Sequence, residues 1–179
     1  GTFQEAKGIE EILRKNAWQA NLYLSEKASE EQVKNNKIDA SILHFATHGF
    51  FLESLGTSEG ISEELAELKI LNNPMMRSGL MLAGAGDLVE KQSFIGDGIL
   101  TAQEISNISL DNTQIVILSA CETGRGEVAL GEGVFGLQRA LFLAGAKNII
   151  MSLFKVDDAA TAELMSLFYE YYLNQANDI

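Results

Sequence analysis

Gln114-Ile115-Val116-Ile117-Leu118-Ser119-Ala120-Cys121-Glu122-Thr123-Gly124 is the stretch whose reading decides the fold. It is apolar, rich in β-branched residues, ends abruptly at a thiol and runs into a glycine-rich segment. A run that is apolar at consecutive positions has no wet face, so it reads as a strand buried on both sides, a central member of a parallel sheet. Cys121, the chain's one cysteine, stands at the carboxyl end of that strand. In open α/β sheets this is the edge where ligands and chemistry collect. A second strand of the same type, Ala40-Ser41-Ile42-Leu43-His44-Phe45-Ala46-Thr47-His48, ends in a histidine followed by Gly49. The expectation is that these two strand ends face each other as a Cys/His pair.

Working outward, Phe3 to Asn16 carries Phe3, Ala6, Ile9 and Leu13 at helical spacing, an amphipathic helix. Trp18 to Leu24 alternates apolar and polar and reads as a short strand, and Ser29-Glu30-Glu31-Gln32 is a capping box that opens a short helix. The order α-β-α-β implies right-handed crossovers. Glu53 to Gly60 is a polar loop, and Ile61 to Leu71 fits a short acidic helix. Ser78 to Gly84 and Asp97 to Leu100 read as a strand and its return, with Gly84 to Gly98 as a hairpin tip or excursion. Thr101-Ala102-Gln103-Glu104 is a second capping box. A helix from Val134 to Leu143 ends at Gly145 as its C-cap, Asn148 to Phe154 is the next buried strand, and Asp157-Asp158 starts a long helix through Tyr172. With no repeat, low-complexity tract or linker, residues 1–179 read as a single domain.

The net charge of −12 argues against a nucleic-acid footprint, which needs clustered Lys and Arg, and against an anionic membrane surface. It mildly favours basic substrates or partners through steering. No apolar run reaches the roughly 18 residues that span a bilayer, and no signal peptide heads the chain. One cysteine forbids an internal disulfide and fits a reducing compartment. The chain starts Gly1-Thr2 and stops at Asn177-Asp178-Ile179, which suggests a fragment of something longer.

A thiol is weakly nucleophilic while protonated; with a reference pKa near 8.5, about a few per cent is thiolate at pH 7. A neighbouring imidazole can take that proton and later protonate a leaving amine, the roles open to Cys121 and His48. Gly49 lets a substrate approach its N–H without a Cβ clash, and that N–H with the N–H of Cys121 could form an oxyanion hole. On pattern alone the other reading stays open: Cys121 a small buried hydrophobe and His48 a turn residue.

Ile42 to Phe51 and Leu118 to Gly124 resemble the signature segments of the CHAT domain, a caspase-like family of cysteine peptidases. So do Arg77 to Gly84, the stretch from Gly131-Glu132-Gly133 to Ala144-Gly145-Ala146, and Met151 to Asp158, in the family's order. The resemblance implies a caspase-like three-layer α/β/α sandwich with a mostly parallel central sheet. It further implies catalytic His48 and Cys121 and oxyanion donors at Gly49 and Cys121. It implies a cysteine endopeptidase acting on a protein substrate, in a cytoplasmic, bacterial protein whose helical-repeat domain or partner gates it. Where the family carries Trp this chain has Phe154, and the family's domain extends beyond both ends, so a sandwich truncated at both termini is expected.

Asp157-Asp158 follows another strand's carboxyl end, either as a helix N-cap or as an acidic specificity pocket selecting a basic residue at the cleaved position. Ser119, two before the thiol, matches the position that lines that pocket in caspase-like peptidases. Gly131-Glu132-Gly133-Val134-Phe135-Gly136 is a formal G-x-G-x-x-G, but its glycines do not follow their strand directly and Glu127 and Glu132 would repel a pyrophosphate. A mobile glycine-rich loop beside the nucleophile is the better account. His44 shares the parity of His48 deeper in the strand and reads as a satisfied core histidine, and the acidic stretch Glu59 to Glu67 as a solvated face. No cofactor is called for and no cluster has metal-ligand spacing. The competing class is a non-catalytic caspase-like scaffold for protein partners.

Overall fold

Strand Ile115–Glu122 lies between two helical layers because the two faces of its apolar run are both buried, each against its own set of helices. In the computed structural model the described residues are 2–34, 38–51, 73–85, 97–122, 132–152 and 156–176, with side chains at 120–122, 132–134 and 176 left aside. In chain order they form α1 (Thr2–Lys15), a 3-10 turn (Ser25–Lys27), α2 (Glu30–Lys34), β1 (Ile42–Phe51), β2 (Ser78–Met81), β3 (Ile99–Thr101) and α3 (Ala102–Ile105). β4 (Ile115–Glu122), α4 (Glu132–Leu143), β5 (Asn148–Met151) and α5 (Asp158–Ala176) follow. The expected acidic helix at 61–71, the loop at 53–60, the acidic face at 59–67, the tip at 86–96, Phe154 and the glycines at 124, 126 and 131 lie outside the described residues.

The sheet runs β3-β2-β1-β4-β5. β1 pairs parallel with β4, and β4 with β5, whereas β2 is antiparallel to both β1 and β3. Four strands therefore point one way and β2 against them, a mostly parallel sheet with one reversed member. Ile115 and Ile117 face α1 and α5, in a cluster with Ile9, Met165 and Tyr169. Val116 and Leu118 face the other side, with Leu80, Leu100, Ile105, Leu137 and Leu141 from β2, β3, α3 and α4. The result is the expected α/β/α sandwich, and each fully buried aliphatic side chain contributes about 1.5–3 kcal/mol.

Several local expectations hold. Thr101 and Glu104 close a reciprocal capping box, and Gly145 ends α4 with φ of +107°, a left-handed C-cap where a Cβ would meet Asp111 Oδ1 at 2.6 Å. β2 and β3 pair as the strand and its return, Gly79 opposite Thr101.

Others do not. Trp18 to Leu24 is extended and shields alternate residues, but it pairs with no strand among the described residues. Alternation reports a half-buried extended segment; only a hydrogen-bonded neighbour makes a strand, so the order is α-α-β rather than α-β-α-β. The inner face of α1 is also turned: Phe3 is 57% exposed, whereas Glu5 is 4% exposed.

Glu5 turns inward because His44 is there to receive it. Glu5 Oε1 lies 3.0 Å from His44 Nε2, and His44 Nδ1 lies 3.1 Å from the Tyr169 hydroxyl. Burial, then the charge of Glu5, raises the pKa of Tyr169, so the phenol keeps its proton. The set of roles that satisfies all three groups has Tyr169 donating to Nδ1 and Nε2–H donating to Glu5. His44 is thus the satisfied core histidine that its position suggested.

On the opposite side of the sheet, buried Glu30 accepts from the N–H of Gly98 at 3.2 Å and from Lys34. Lys34 also donates to Glu104 at 2.6 Å. Burial opposes both charges of the Lys34–Glu104 pair. Their mutual hydrogen bond, with Glu30 helping Lys34 and Thr101 helping Glu104, outweighs it, raising Lys34 above 10.5 and lowering Glu104 below 4.5.

Tyr169→Phe strands Nδ1 in the core and should cost about 1–3 kcal/mol, read as a lower urea midpoint at unchanged m value. An unmoved midpoint would show that Nδ1 needs no donor. Because the folded pKa of Glu104 is depressed, its stabilising term is complete above about pH 5 and disappears as pH falls through the folded value. Lys34, with its pKa raised, contributes in full below 10.5 and loses its share as pH rises through the folded value. Glu104→Gln should therefore flatten the acid limb of thermal stability against pH; an acid limb as steep as in the parent chain would refute the assignment.

Candidate functional site

β1 and β4 run side by side in a register that pairs Ile42 with Ile115 and continues without a break to Gly49 and Glu122. Ala46 stands opposite Ser119 and His48 opposite Cys121. Neighbouring strands lie about 4.8 Å apart, so the two ends that the sequence brings to mind as a pair are adjacent in the backbone. The position of Cys121 has the parity of Ile115, Ile117 and Ser119. His48 has the parity of Ile42 and His44, which meet α1 and α5.

β1 does not stop at His48. It continues to Phe51 because β2 returns beside it, with His48 opposite Met81 and Gly49 opposite Leu80. Gly49 is consequently an interior strand residue with a neighbour on each side, Leu80 and Glu122, and is buried. His48 is exposed.

A small recess, open to solvent and with water-sized space of about 10 Å³, lies beside His48. Its lining comprises His48 and Thr47 from β1, Ser119 from β4, Thr2 and Glu5 from α1, and Asp158 and Thr161 from the first turns of α5. The small side chain of Ser119, itself 8% exposed, leaves the room. Two of the three residues expected at a specificity pocket, Ser119 and Asp158, therefore line one recess with His48.

Asp157 does something else. Its Oδ1 accepts from the N–H groups of Ala159 and Ala160 at 3.0 and 3.1 Å, and its carbonyl accepts from the N–H and hydroxyl of Thr161, both at 2.9 Å. It is the N-cap of α5, which leaves Asp158 as the aspartate of the recess.

Glu5 is the lining residue that reading the sequence missed. It stands four before Ile9, on the stripe that α1 turns inward, and an acid at such a position is the one signal available. Helical periodicity alone would count it a solvated residue between apolar ones.

The glycine motif is absorbed by packing. Gly133 and Gly136 lie inside α4, and a Cβ on Gly136 would meet Ser78 Oγ at 2.8 Å and the carbonyl oxygen of Pro74 at 2.9 Å. Gly136 lets helix and sheet approach closely. β4 ends at Glu122 and α4 begins at Glu132, so the motif does not open a helix directly from its strand as a dinucleotide fold requires. Among the described residues, no group of three or more His, Cys, Asp or Glu stands together as metal ligands would. No helix among them is long and apolar enough to cross a membrane.

The CHAT domain family matches residues 1–178. Among curated proteins, human tetratricopeptide repeat protein 28 is 27% identical over 153 residues, covering 82% of this chain but 6% of its own length. No solved structure gives a significant match. The mixed sheet between two helical layers agrees with the family match, and the chain belongs to the CHAT domain family, a caspase-like domain.

Proposed function

We propose that residues 1–179 act as a single cysteine endopeptidase domain in which Cys121 is the nucleophile and His48 manages the protons. The observation that carries this reading is the parallel register that sets His48 of β1 opposite Cys121 near the carboxyl end of β4, in a chain of caspase-like family. Imidazole takes the thiol proton, sulfur attacks the scissile carbonyl carbon, and negative charge develops on the carbonyl oxygen. The N–H groups of Gly49 and Cys121 are the donors proposed for that charge, which for Gly49 requires its N–H to leave the ladder between β2 and β4; one such donor is typically worth about 10²–10³ in rate. Collapse breaks the C–N bond, with His48 returning its proton to the leaving amine. Water, activated by the same imidazole, then hydrolyses the thioester. The acidic recess supports selection of a basic residue at the cleaved position, with Asp158 contributing.

The human relative is a tetratricopeptide repeat protein of which this chain spans 6%, which supports a helical-repeat domain or partner that gates the peptidase. The lone cysteine fits a cytoplasmic location.

Labelling with a peptidyl electrophile that carries lysine next to the warhead tests the chemistry. Label should appear in the chain and vanish in Cys121→Ala, and His48→Ala should slow it by about 10²-fold or more, the ordinary contribution of a positioned base. Labelling indifferent to both substitutions would leave a non-catalytic interaction scaffold as the reading. Asp158→Asn should weaken discrimination between lysine and norleucine probes, whereas Asp157→Asn should lower thermal stability through the lost cap and leave discrimination in place. Equal effects of the two on discrimination would discard that division of labour.

A further inference from the structure

We infer that the outer face of α5 is a docking seam for a partner helix that carries aliphatic residues along one stripe and lysine or arginine beside it. This goes beyond the peptidase reading and does not depend on it. Ala160, Leu164, Leu167 and Tyr171 are all exposed and recur at steps of four, three and four, the a and d positions of a heptad. The three large ones, Leu164, Leu167 and Tyr171, are 59%, 57% and 70% exposed. The other side of the helix, with Met165, Tyr169 and Leu173, is already buried, the first two in one cluster with Ile9 of α1 and Ile117 of β4. A surface helix is ordinarily apolar toward the core and polar away from it. One that is apolar on both sides has a second surface to bury.

The charges select the occupant. With Leu164 and Tyr171 at a, Glu163 and Glu170 both fall at g, the flanking position that sets partner choice. Both are exposed, and among the described residues neither makes an ion pair. From Asp158 to Ala176, α5 carries no lysine or arginine. A second copy of this chain is therefore a poor match. Packed antiparallel, its g positions would meet these, glutamate against glutamate. Packed parallel, each g faces an e position, where Phe168 and Gln175 return no positive charge. A net charge of −12 on each chain adds to the repulsion.

A basic amphipathic helix meets both demands. Its aliphatic stripe covers anchors spaced i, i+3 and i+7 at Leu164, Leu167 and Tyr171, the pattern by which helices lie on complementary faces. Its cations pair with the two carboxylates. The exposed apolar residues of α4 offer no such seam, because Arg139 stands between Phe135 and Phe142 at the same four-then-three step.

The test titrates a helical peptide of about three heptads, leucine at a and d and lysine at e and g, into the full chain carrying Cys121→Ala, which keeps a lysine-rich peptide intact. Its twin has glutamate in place of every lysine. Saturable binding of the lysine peptide alone is expected, read by fluorescence anisotropy. Leu167→Gln should weaken it by about tenfold or more through lost burial at the centre of the seam. Glu163→Gln with Glu170→Gln should weaken it by about fivefold at low salt and by less as salt rises, the scale of two exposed ion pairs. Leu143→Gln on α4, and Glu26→Gln with Glu31→Gln, change equally exposed residues elsewhere and should leave the affinity unchanged. No saturable binding, equal binding of the twins, or equal losses from the seam and control substitutions would overturn the proposal. So would a dimer in sedimentation that Leu167→Gln dissolves, because a second copy would then be the occupant.

Discussion

The parallel ladder between β1 and β4 is the constraint on which the rest depends. Strand side chains alternate with a period of two, so a slip of one residue would exchange every inward and outward position. Here neither face can accept that exchange. Leu43 and Phe45 pack toward α3 and α4, whereas Ile42 and His44 meet α1 and α5. A shift would bring hydrocarbon to the carboxylate of Glu5 and drive an imidazole into an aliphatic cluster. The opposition of His48 to Cys121 is thus a by-product of core packing about 10–20 Å deeper, at about 3.3 Å per residue along the strand.

Polar groups inside this core act as locators. Turning Phe3 inward would recover about 1.5–3 kcal/mol of burial. It would also take Glu5 from His44, and an orphaned buried partner costs about 1–3 kcal/mol, more where charge is involved. The balance favours the glutamate, so α1 rotates until its acid meets the strand. The same contact brings Glu5 to the recess beside His48. On the far side of the sheet, Glu30, Lys34 and Glu104 tie α2 to α3 and to the start of β3 through Gly98. In both places a titratable cluster fixes one helix against a strand that lies far away in sequence.

The acids at the start of α5 show how one element serves both stability and a site. A helix offers unpaired N–H groups at its first turn, and Asp157 accepts two of them. Once the cap is filled, the next residue is free to face the recess, and Asp158 does. The strand-to-helix connection that ends β5 therefore delivers one acid to the backbone and one to the recess.

Sequence by itself determined the features whose cause is local. The apolar run of β4, the strand through His44 and His48, the capping box at Thr101–Glu104 and the left-handed cap at Gly145 depend on neighbours within a few residues, and pattern reveals them. Family resemblance carried the sandwich itself, because its segments recur in order along the whole chain. Only the tertiary structure decided that Trp18 to Leu24 pairs with no strand among the described residues, that β1 outlasts His48 by pairing with β2, and that Glu5 rather than Phe3 faces inward. Each of these turns on what a distant segment presents: a free strand edge, a returning strand, a buried imidazole. Periodicity records how much of a residue is covered, and says nothing about which group covers it.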